Sequence, residues 1–197
     1  MNVPRIIGWS LLACLAGAVA FLAATIRVIE PQPEAARAVA SRLSGDAPAP
    51  MLTVPVAGVD VAQLRSSWGD VRGGGRRGHQ GLDVMAPMGA PVVAAADGRV
   101  EKLYFSKGGG GITLYQRSND GRWMFYYAHL GSYAPGIVEG KSVHAGETIA
   151  RVGDTGNAGA GNAHLHFAVA RMAPGEGWWQ GTPVDPYPLL AGERPER

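Results

Sequence analysis

Residues 112–129 read ITLYQRSNDGRWMFYYAH, and this stretch decides the fold class. Its two halves, residues 112–116 and 123–129, are rich in the β-branched and aromatic residues that favour strands. The segment between them contains Asn119-Asp120-Gly121, which is typical of a tight hairpin turn. The stretch therefore predicts two antiparallel strands joined by a short connection.

Further strands are predicted on both sides of this hairpin. They cover residues 90–95, 99–105, 148–152 and 165–170 and are separated by glycine turns. The chain has 29 glycines and 14 prolines, a composition that favours turns and short strands over long helices. We therefore predict an all-β, antiparallel, sheet-rich domain, in which the glycine runs at 73–75 and 108–111 form the edges of a glycine-rich groove.

The N-terminal segment has a different composition. Residues 6–26 contain no charged side chain and are long enough to cross a bilayer as a helix. Arg5 precedes this run, which favours an internal N-terminus and an external domain. A cleaved signal peptide ending near Ala20, or a lipoprotein signal around Cys14, are alternatives that also export the domain. Because the apolar run continues past Ala20, we favour an uncleaved transmembrane anchor.

These patterns divide the chain into five parts. Residues 1–5 form a cytoplasmic N-terminus and 6–26 the anchor, followed by a proline-rich linker over 27–60 with one short helix around 34–44. The folded domain covers 61–190, and a polar tail covers 191–197.

Charge and cysteine content exclude several classes of function. The formal net charge is +2 and no basic run resembles a nucleic-acid footprint, so we predict no nucleic-acid partner. The single cysteine, Cys14, lies in the apolar N-terminal run. The predicted domain therefore has neither a disulfide nor a thiolate metal site.

Four of the five histidines fall into three short motifs. The motifs are HQGLD at 79–83, YYAHL at 126–130 and HLHF at 164–167. Histidine and carboxylate are the usual ligands of a catalytic zinc, which takes three protein ligands and keeps one open position. Three ligands with two histidines left over suggest a metal-dependent hydrolase.

The spacing within the motifs predicts which side chains share a face. His164 and His166 are two residues apart on a strand, so both point to one side while Leu165 and Phe167 point to the core. His79 and Asp83 are separated by an even offset, which also keeps them on one face if the segment is extended.

The motifs together resemble the M23 (LytM/lysostaphin-type) peptidoglycan metallopeptidases, over roughly Ser67 to Leu190. The segments that support this resemblance are RGHQGLD at 77–83, PVVAAADGRV at 91–100, YAHL at 127–130, GDTGN at 153–157, HLHF at 164–167 and PVDP at 183–186. Two positions depart from the family pattern, Ala163 before the HLHF motif and Ala168 after it. Neither is a proposed ligand.

The resemblance assigns a role to each residue of the cluster. It implies that His79, Asp83 and His166 bind one Zn²⁺ and that His129 and His164 are the free catalytic pair. One of the pair would accept the proton of a zinc-activated water, and the other would stabilise the oxyanion or protonate the leaving amine. The implied activity is zinc-dependent hydrolysis of peptide cross-links in bacterial peptidoglycan.

The resemblance also implies a location and partners. The domain would face the periplasm or cell-wall space from a single-pass anchor in the inner or cytoplasmic membrane. Its partners would be peptidoglycan peptide stems and a cell-wall amidase or division protein. Two alternatives use the same fold: a non-catalytic LytM-type regulator that activates a cell-wall amidase, and a wall-binding module. The bond cleaved stays open between a D-Ala–diaminopimelate cross-link and a glycine bridge.

Four further residues have two interpretations each, and a fifth is predicted to lie outside the site. Tyr127 should share the face of His129 and would either line the groove or pack in the core. Trp178 and Trp179 would form an aromatic wall for glycan or peptide, or cover the sheet. Arg77 would orient substrate or lie on the surface, and His144 is predicted to be a surface turn residue.

Overall fold

The computed structural model describes residues 50–72 and 77–192, without the side chains of Arg72 and Arg77. The predicted transmembrane helix at 6–26, the predicted short helix, the glycine run at 73–75 and nearly all of the polar tail lie outside these ranges. Within them, no helix is both long and apolar enough to cross a membrane.

All strand pairings in the described ranges are antiparallel, which confirms the predicted all-β class. The strands are β1 (Val71–Arg72), β2 (Arg77–Gly78), β3 (Leu82–Met85), β4 (Pro91–Val93), β5 (Gly98–Ser106), β6 (Gly111–Ser118), β7 (Trp123–Tyr133), β8 (Ser142–Val143), β9 (Thr148–Val152), β10 (His164–Arg171) and β11 (Thr182–Val184). The two helical elements are a 3-10 turn at Val61–Gln63 and a short helix, α1, at Pro186–Leu190.

The six strands predicted from sequence all exist. Five of them cover every predicted residue, and the strand predicted at 90–95 is shorter, at Pro91–Val93. The main sheet runs in the order β11-β10-β7-β6-β5-β8, with β3 paired to β10, and β9 paired to both β7 and β4. β1 and β2 form a separate two-stranded sheet. β7 and β10 lie at the centre of the main sheet. One face of these two strands packs on the core, and the other face points away from it.

Alternation along β10 follows the sequence prediction. Leu165 and Phe167 have no exposed surface and pack in the core, while His164 and His166 point to the other face. Period-2 geometry is sufficient to produce this division, because the strand is regular from its first residue to its last.

The folded domain begins inside the predicted linker 27–60. Leu52 and Val56 are buried in the core, and Val56 pairs with Val92 of β4. The backbone N–H of Leu52 donates to the carbonyl of Leu189 in α1 at 3.2 Å. The apolar residues at the end of this segment therefore belong to the domain, because they cover the core next to α1.

Tyr127 packs in the core, which confirms one of its two interpretations. Its side chain is fully buried, and its hydroxyl donates to Oε1 of Gln116 at 2.6 Å and accepts from the backbone N–H of Ala95 at 2.9 Å. The amide of Gln116 donates in turn to the carbonyl of Ala96 at 2.6 Å. This network satisfies polar groups that burial would otherwise leave without partners.

The expectation that His129 shares the face of Tyr127 is wrong. His129 is the one non-glycine residue in the described ranges with a positive φ, 60°. The register of β7 shifts around it, against β6 on one side and β9 on the other. This bulge turns the imidazole out of the core face, and Leu130 takes the buried position.

The bulge depends on a close approach by the β5–β6 connection. The backbone N–H of His129 donates to the carbonyl of Gly110 at 2.7 Å. A Cβ on Gly110 would lie 2.1 Å from the hydroxyl oxygen of Tyr126, so only glycine fits at this position. Gly109 and Gly110 line the groove, as predicted, and the backbone of Gly110 contacts the backbone of His129.

Candidate active site

An open groove with a volume of about 1030 Å³ runs across the face of β7 and β10 that points away from the core. Its floor contains the small side chains of Ala128, Ala168 and Ala170. His79, Asp83, His129, His164 and His166 all line it. The structure therefore brings together all five residues that the sequence selected.

Strand register places the first two members of the cluster. Asp83 on β3 is directly opposite His166 on β10, in an antiparallel pair. Side chains at opposed positions project from the same face of a sheet. As a result, Nδ1 of His166 lies 3.0 Å from Oδ1 of Asp83.

A bend brings His79 to the same point. His79 follows β2 and precedes β3, so it does not share one continuous strand with Asp83 as its spacing suggested. Its Nε2 lies 2.9 Å from Nδ1 of His166 and 3.1 Å from Oδ1 of Asp83. Gly81 permits this approach, since a Cβ there would lie 2.6 Å from Cε1 of His166.

These three ligand atoms fit a tetrahedral metal site. They are separated from one another by 2.9, 3.0 and 3.1 Å. Ligand atoms around a tetrahedral zinc, at about 2.0–2.1 Å from the ion, lie about 3.3 Å apart. Nδ1 of His79 is 2.9 Å from the carbonyl oxygen of Ser67. Because a carbonyl only accepts, Nδ1 is the protonated nitrogen, and the lone pair on Nε2 points at the cluster.

The charge state of Asp83 also suits a metal ligand. Burial alone raises the pKa of this carboxyl. The hydrogen bond from His166 and the charges of the surrounding histidines outweigh burial and hold the pKa well below its usual range. Asp83 is therefore ionised at neutral pH and can serve as an anionic ligand.

His129 and His164 lie next to the cluster and are oriented by loops. Nδ1 of His129 donates to the carbonyl oxygen of Thr155 at 2.9 Å, and Nδ1 of His164 donates to that of Asn162 at 2.8 Å. Their ring centroids are 4.8 Å apart. In the neutral forms, both Nε2 atoms then have lone pairs.

His129 and His164 lie outside the group of three close ligand atoms. Nε2 of His164 is 4.0 Å from Oδ1 of Asp83, which is beyond hydrogen-bond distance. Burial lowers the pKa of His129 below its ordinary value and outweighs the opposing hydrogen bond to Thr155. His129 is therefore neutral at pH 7 and can accept a proton.

Sequence reasoning missed the three residues whose backbone carbonyls orient His79, His129 and His164. They are Ser67, Thr155 and Asn162. Backbone carbonyls leave no trace in side-chain patterns, so residue types gave no signal for Ser67 or Asn162. Thr155 lies within the GDTGN segment, which marked it as part of the resemblance but not as a partner of His129.

Three of the four remaining candidates can be placed relative to the groove. The side chain of His144 is 84% exposed and lies 3.5 Å from Asp97, which confirms a surface turn residue. The side chain of Arg77 lies outside the described part. Trp178 and Trp179 both line the groove, and Trp178 also packs on Tyr104 and Tyr115 of the sheet.

An antiparallel β domain with a His₂Asp cluster on the floor of an open groove has the features of a metal-dependent hydrolase. A family model described as Peptidase family M23 matches residues 77–186, which is more than half of the chain. The chain belongs to this family.

Comparisons with individual proteins agree with the family. Over 140 residues, which are 67% of this chain and 41% of the relative, the chain is 39% identical to a protein named L-Ala–D-Glu endopeptidase from Bacillus subtilis (strain 168). The chain thus spans less than half the length of this relative.

Two solved structures are similar to the fold. The catalytic domain of lysostaphin from Staphylococcus simulans superposes with a TM-score of 0.56 at 28% identity, over 66% of this chain and 95% of that one. A zinc containing peptidase from Vibrio cholerae superposes with a TM-score of 0.54 at 29% identity, over 70% of this chain and 39% of that one.

Proposed function

We propose that this protein is a zinc-dependent endopeptidase that hydrolyses peptide cross-links in bacterial peptidoglycan. One observation supports this most directly: three ligand atoms from His79, Asp83 and His166 lie within about 3 Å of one another at the floor of an open groove. The lone pairs of two further histidines lie beside them. Family membership and the name of the Bacillus relative support an endopeptidase, although the L-Ala–D-Glu bond in that name lies within a stem peptide and not in a cross-link.

The donor set defines what the cluster would hold. Two neutral imidazoles and one carboxylate would leave a bound Zn²⁺ with a net charge of about +1. When bound, zinc supplies a Lewis acid that polarises a carbonyl and lowers the pKa of water from 15.7 to about 7. Gly81 keeps the space beside His166 open, which a larger residue would fill.

His129 and His164 would move the protons. Each is held by a carbonyl at Nδ1, so its Nε2 can accept a proton from water in the groove. Once protonated, the same Nε2 can donate to the leaving amine or to the developing oxyanion. The two residues would share these tasks, and neither needs to rotate because its ring is already fixed.

The groove suits a peptide in an extended conformation. Ala128, Ala168 and Ala170 leave the floor shallow on both strands, so a backbone can lie close to His166. Ala168 is one of the two departures from the family pattern noted above, and its methyl group widens the groove at this point. The candidate bonds are a D-Ala–diaminopimelate cross-link, a glycine bridge and the L-Ala–D-Glu bond for which the Bacillus relative is named.

We further propose that residues 6–26 anchor the domain outside the inner or cytoplasmic membrane. The run is uncharged and long enough to span the bilayer, and its flanking charges favour export of the domain. A wall hydrolase has to act on that side of the membrane. Localisation of a C-terminally tagged chain by protease accessibility tests this proposal.

Zinc content and cross-link cleavage test the function together. We expect the purified protein to contain about one zinc per chain and to cleave at least one of the three defined muropeptide substrates, with products identified by mass spectrometry. His166→Ala should lose both properties, because it removes a ligand from the centre of the cluster.

His144→Ala is the matched control, since it removes an exposed histidine outside the groove and should change neither property. A wild-type protein without zinc, or cleavage unchanged by His166→Ala, would contradict the proposal. Activation of a purified cell-wall amidase without any cleavage of its own would instead support the regulator. Sacculus binding that chelator does not affect, with no released muropeptides, would support the wall-binding module.

A further inference from the structure

A row of aromatic rings leads away from the cluster along one wall of the groove. Tyr126 lies edge-on to His166 with ring centroids 5.9 Å apart, and Tyr115 follows Tyr126 at 4.6 Å. Trp178 contacts Tyr115 at 4.8 Å, and Trp179 contacts Trp178 at 5.5 Å. Four ring-to-ring steps therefore connect the cluster with Trp179.

The end of this row is unusually exposed for its residue type. Trp179 is 68% exposed, although a tryptophan gains much free energy from burial. Its neighbour Trp178 is half-buried between Tyr104 and Tyr115. Trp178 thus covers part of the sheet, while Trp179 presents its ring to solvent inside the groove.

A well-defined turn holds Trp179 in this position. The backbone N–H of Gln180 donates to the carbonyl of Gly177 at 3.0 Å, and Oε1 of Gln180 accepts from the N–H of Gly177 at 2.7 Å. Arg117 donates to the carbonyl of Glu176 at 3.0 Å and ties the turn to β6. A Cβ on Gly177 would lie 2.6 Å from the Trp179 ring, so the ring packs directly on the glycine backbone.

The chemistry around Trp179 is neutral and contains a hydrogen-bond donor. Trp178, Gln180 and Pro183 line this end of the groove, and none of them carries a charge. The oxygen of the Gln180 amide is engaged within the turn, while its NH₂ group has no partner among the described residues. A flat aromatic ring beside an amide donor suits a pyranose ring, which has an apolar C–H face and hydroxyl or acetamido acceptors on its rim.

We propose that Trp179 and Gln180 form a subsite that binds one N-acetylated amino-sugar ring of the glycan to which the peptide substrate is attached. The proposal rests on the proposed function for the identity of the substrate. The sugar ring is uncharged, as the subsite is, whereas stem peptides carry carboxylates. An extended peptide covers about 3.3–3.6 Å per residue, so at most about six residues are needed to follow the aromatic row from the cluster to Trp179.

Binding of a sugar alone tests the subsite independently of catalysis. The full chain in detergent, labelled with 5-fluorotryptophan, should give five ¹⁹F resonances, one for each tryptophan. Trp179→Phe assigns one of them. Addition of tri-N-acetylchitotriose should shift the Trp179 resonance. Gln180→Glu keeps the oxygen that accepts from the N–H of Gly177 and removes the NH₂ donor, so it should weaken the shift. Absence of a shift at millimolar sugar overturns the proposal, whether or not cross-links are cleaved.

Cleavage of paired substrates tests its role in specificity. One substrate is a cross-linked muropeptide dimer with its disaccharides, and the other is the same dimer after removal of the sugars. Trp179→Ala should lower kcat/KM about tenfold for the first and less than about twofold for the second. An equal loss for both substrates would assign the ring to the peptide and overturn the sugar subsite.

Phe105→Ala is the matched control, because Phe105 is a similarly exposed aromatic, at 58%, that lies outside the groove lining. We expect it to leave kcat/KM for both substrates unchanged. Zinc content should be the same in the wild type, Trp179→Ala and Phe105→Ala, which separates an effect at the subsite from an effect at the cluster. A failure of the proposed function would appear as no cleavage of either substrate by the wild type, with the ¹⁹F result unaffected.

Discussion

The three clustered side chains and the two flanking histidines lie in the same groove but are positioned by different parts of the fold. Sheet register places Asp83 opposite His166, and a glycine bend brings His79 to them. Loop carbonyls, by contrast, orient His129 and His164. We therefore expect that the proposed metal binding and the proposed proton transfer can be disturbed separately in this domain.

Among changes that leave the three clustered side chains intact, the largest effect on activity should come from the flanking pair. His129→Ala and His164→Ala should each lower kcat about 10²- to 10⁴-fold, because each removes a proton-transfer group. Zinc content should stay near one per chain in both variants, since neither residue belongs to the cluster. Metal analysis of the same preparations checks this, and a loss of zinc in either variant would show that the two groups are not separable.

The next largest effect should follow from a change beside the cluster. Gly81→Ala would place a Cβ 2.6 Å from Cε1 of His166 and 2.8 Å from the carbonyl of Phe167, so the imidazole has to move. We expect zinc affinity to fall about 10- to 100-fold, with a parallel loss of activity. Competition with a fluorescent chelator measures the affinity.

Gly108→Ala is the control for this change, because nothing lies within 4 Å of a Cβ at that position. It should bind zinc as the wild type does. Unchanged zinc affinity in Gly81→Ala would contradict this prediction. It would mean that zinc binding does not depend on the position that His166 has beside Gly81.

A smaller effect is expected from Thr155. Its hydroxyl accepts from the backbone N–H of Ile112 at 2.9 Å and donates to the carbonyl of Leu130 at 2.8 Å, which fixes the carbonyl that holds His129. Thr155→Val should lower kcat about tenfold without loss of zinc. Thr155→Ser retains the hydroxyl and should restore most of the activity.

Nitrogen-15 NMR of the His129 ring distinguishes positioning from general destabilisation. The wild type should show a single tautomer protonated at Nδ1, and Thr155→Val should show a mixture of tautomers. A variant that loses activity but keeps the single tautomer would argue against positioning of His129 by Thr155.

The smallest effect on activity should come from the opposite face of β7. Tyr127→Phe removes a buried hydroxyl and leaves Oε1 of Gln116 and the N–H of Ala95 without their hydrogen-bond partner. The free energy of unfolding should fall by about 1–3 kcal/mol, while kcat stays unchanged. Urea denaturation measures the loss.

Tyr133→Phe serves as the control, since Tyr133 is half-buried and water can replace its hydroxyl bond to the carbonyl of Thr113. It should cost less than about 1 kcal/mol. A similar loss in both variants would mean that the buried network around Tyr127 adds little beyond an ordinary hydrogen bond.

Much of the cluster could be predicted because strand geometry is periodic. The HLHF motif directs two histidines to one face, and the structure confirms that Leu165 and Phe167 are buried. The same rule fails at His129, where it predicts a shared face with Tyr127. A backbone φ of 60° and the register shifts in β7 replace the alternation there, and both depend on the carbonyl of Gly110 in another strand connection.

The start of the domain shows a second limit of sequence patterns. The prolines between residues 27 and 60 indicate a linker, yet Leu52 and Val56 are buried in the core. Leu52 is hydrogen-bonded to Leu189 of α1, and Val56 pairs with Val92 of β4, so their burial depends on elements that lie far along the chain. Local composition contains no information about those elements.

The sequence by itself determined the antiparallel β class, the three histidine motifs and the side of each strand on which most of their residues lie. Local propensity and a period of two are properties of neighbouring residues, so a single chain is sufficient to reveal them. Only the tertiary structure decided which nitrogen of each histidine is available, how His129 leaves the core face and where the aromatic row ends at Trp179. Those features depend on backbone carbonyls and rings from distant segments, which meet only when the sheet has formed.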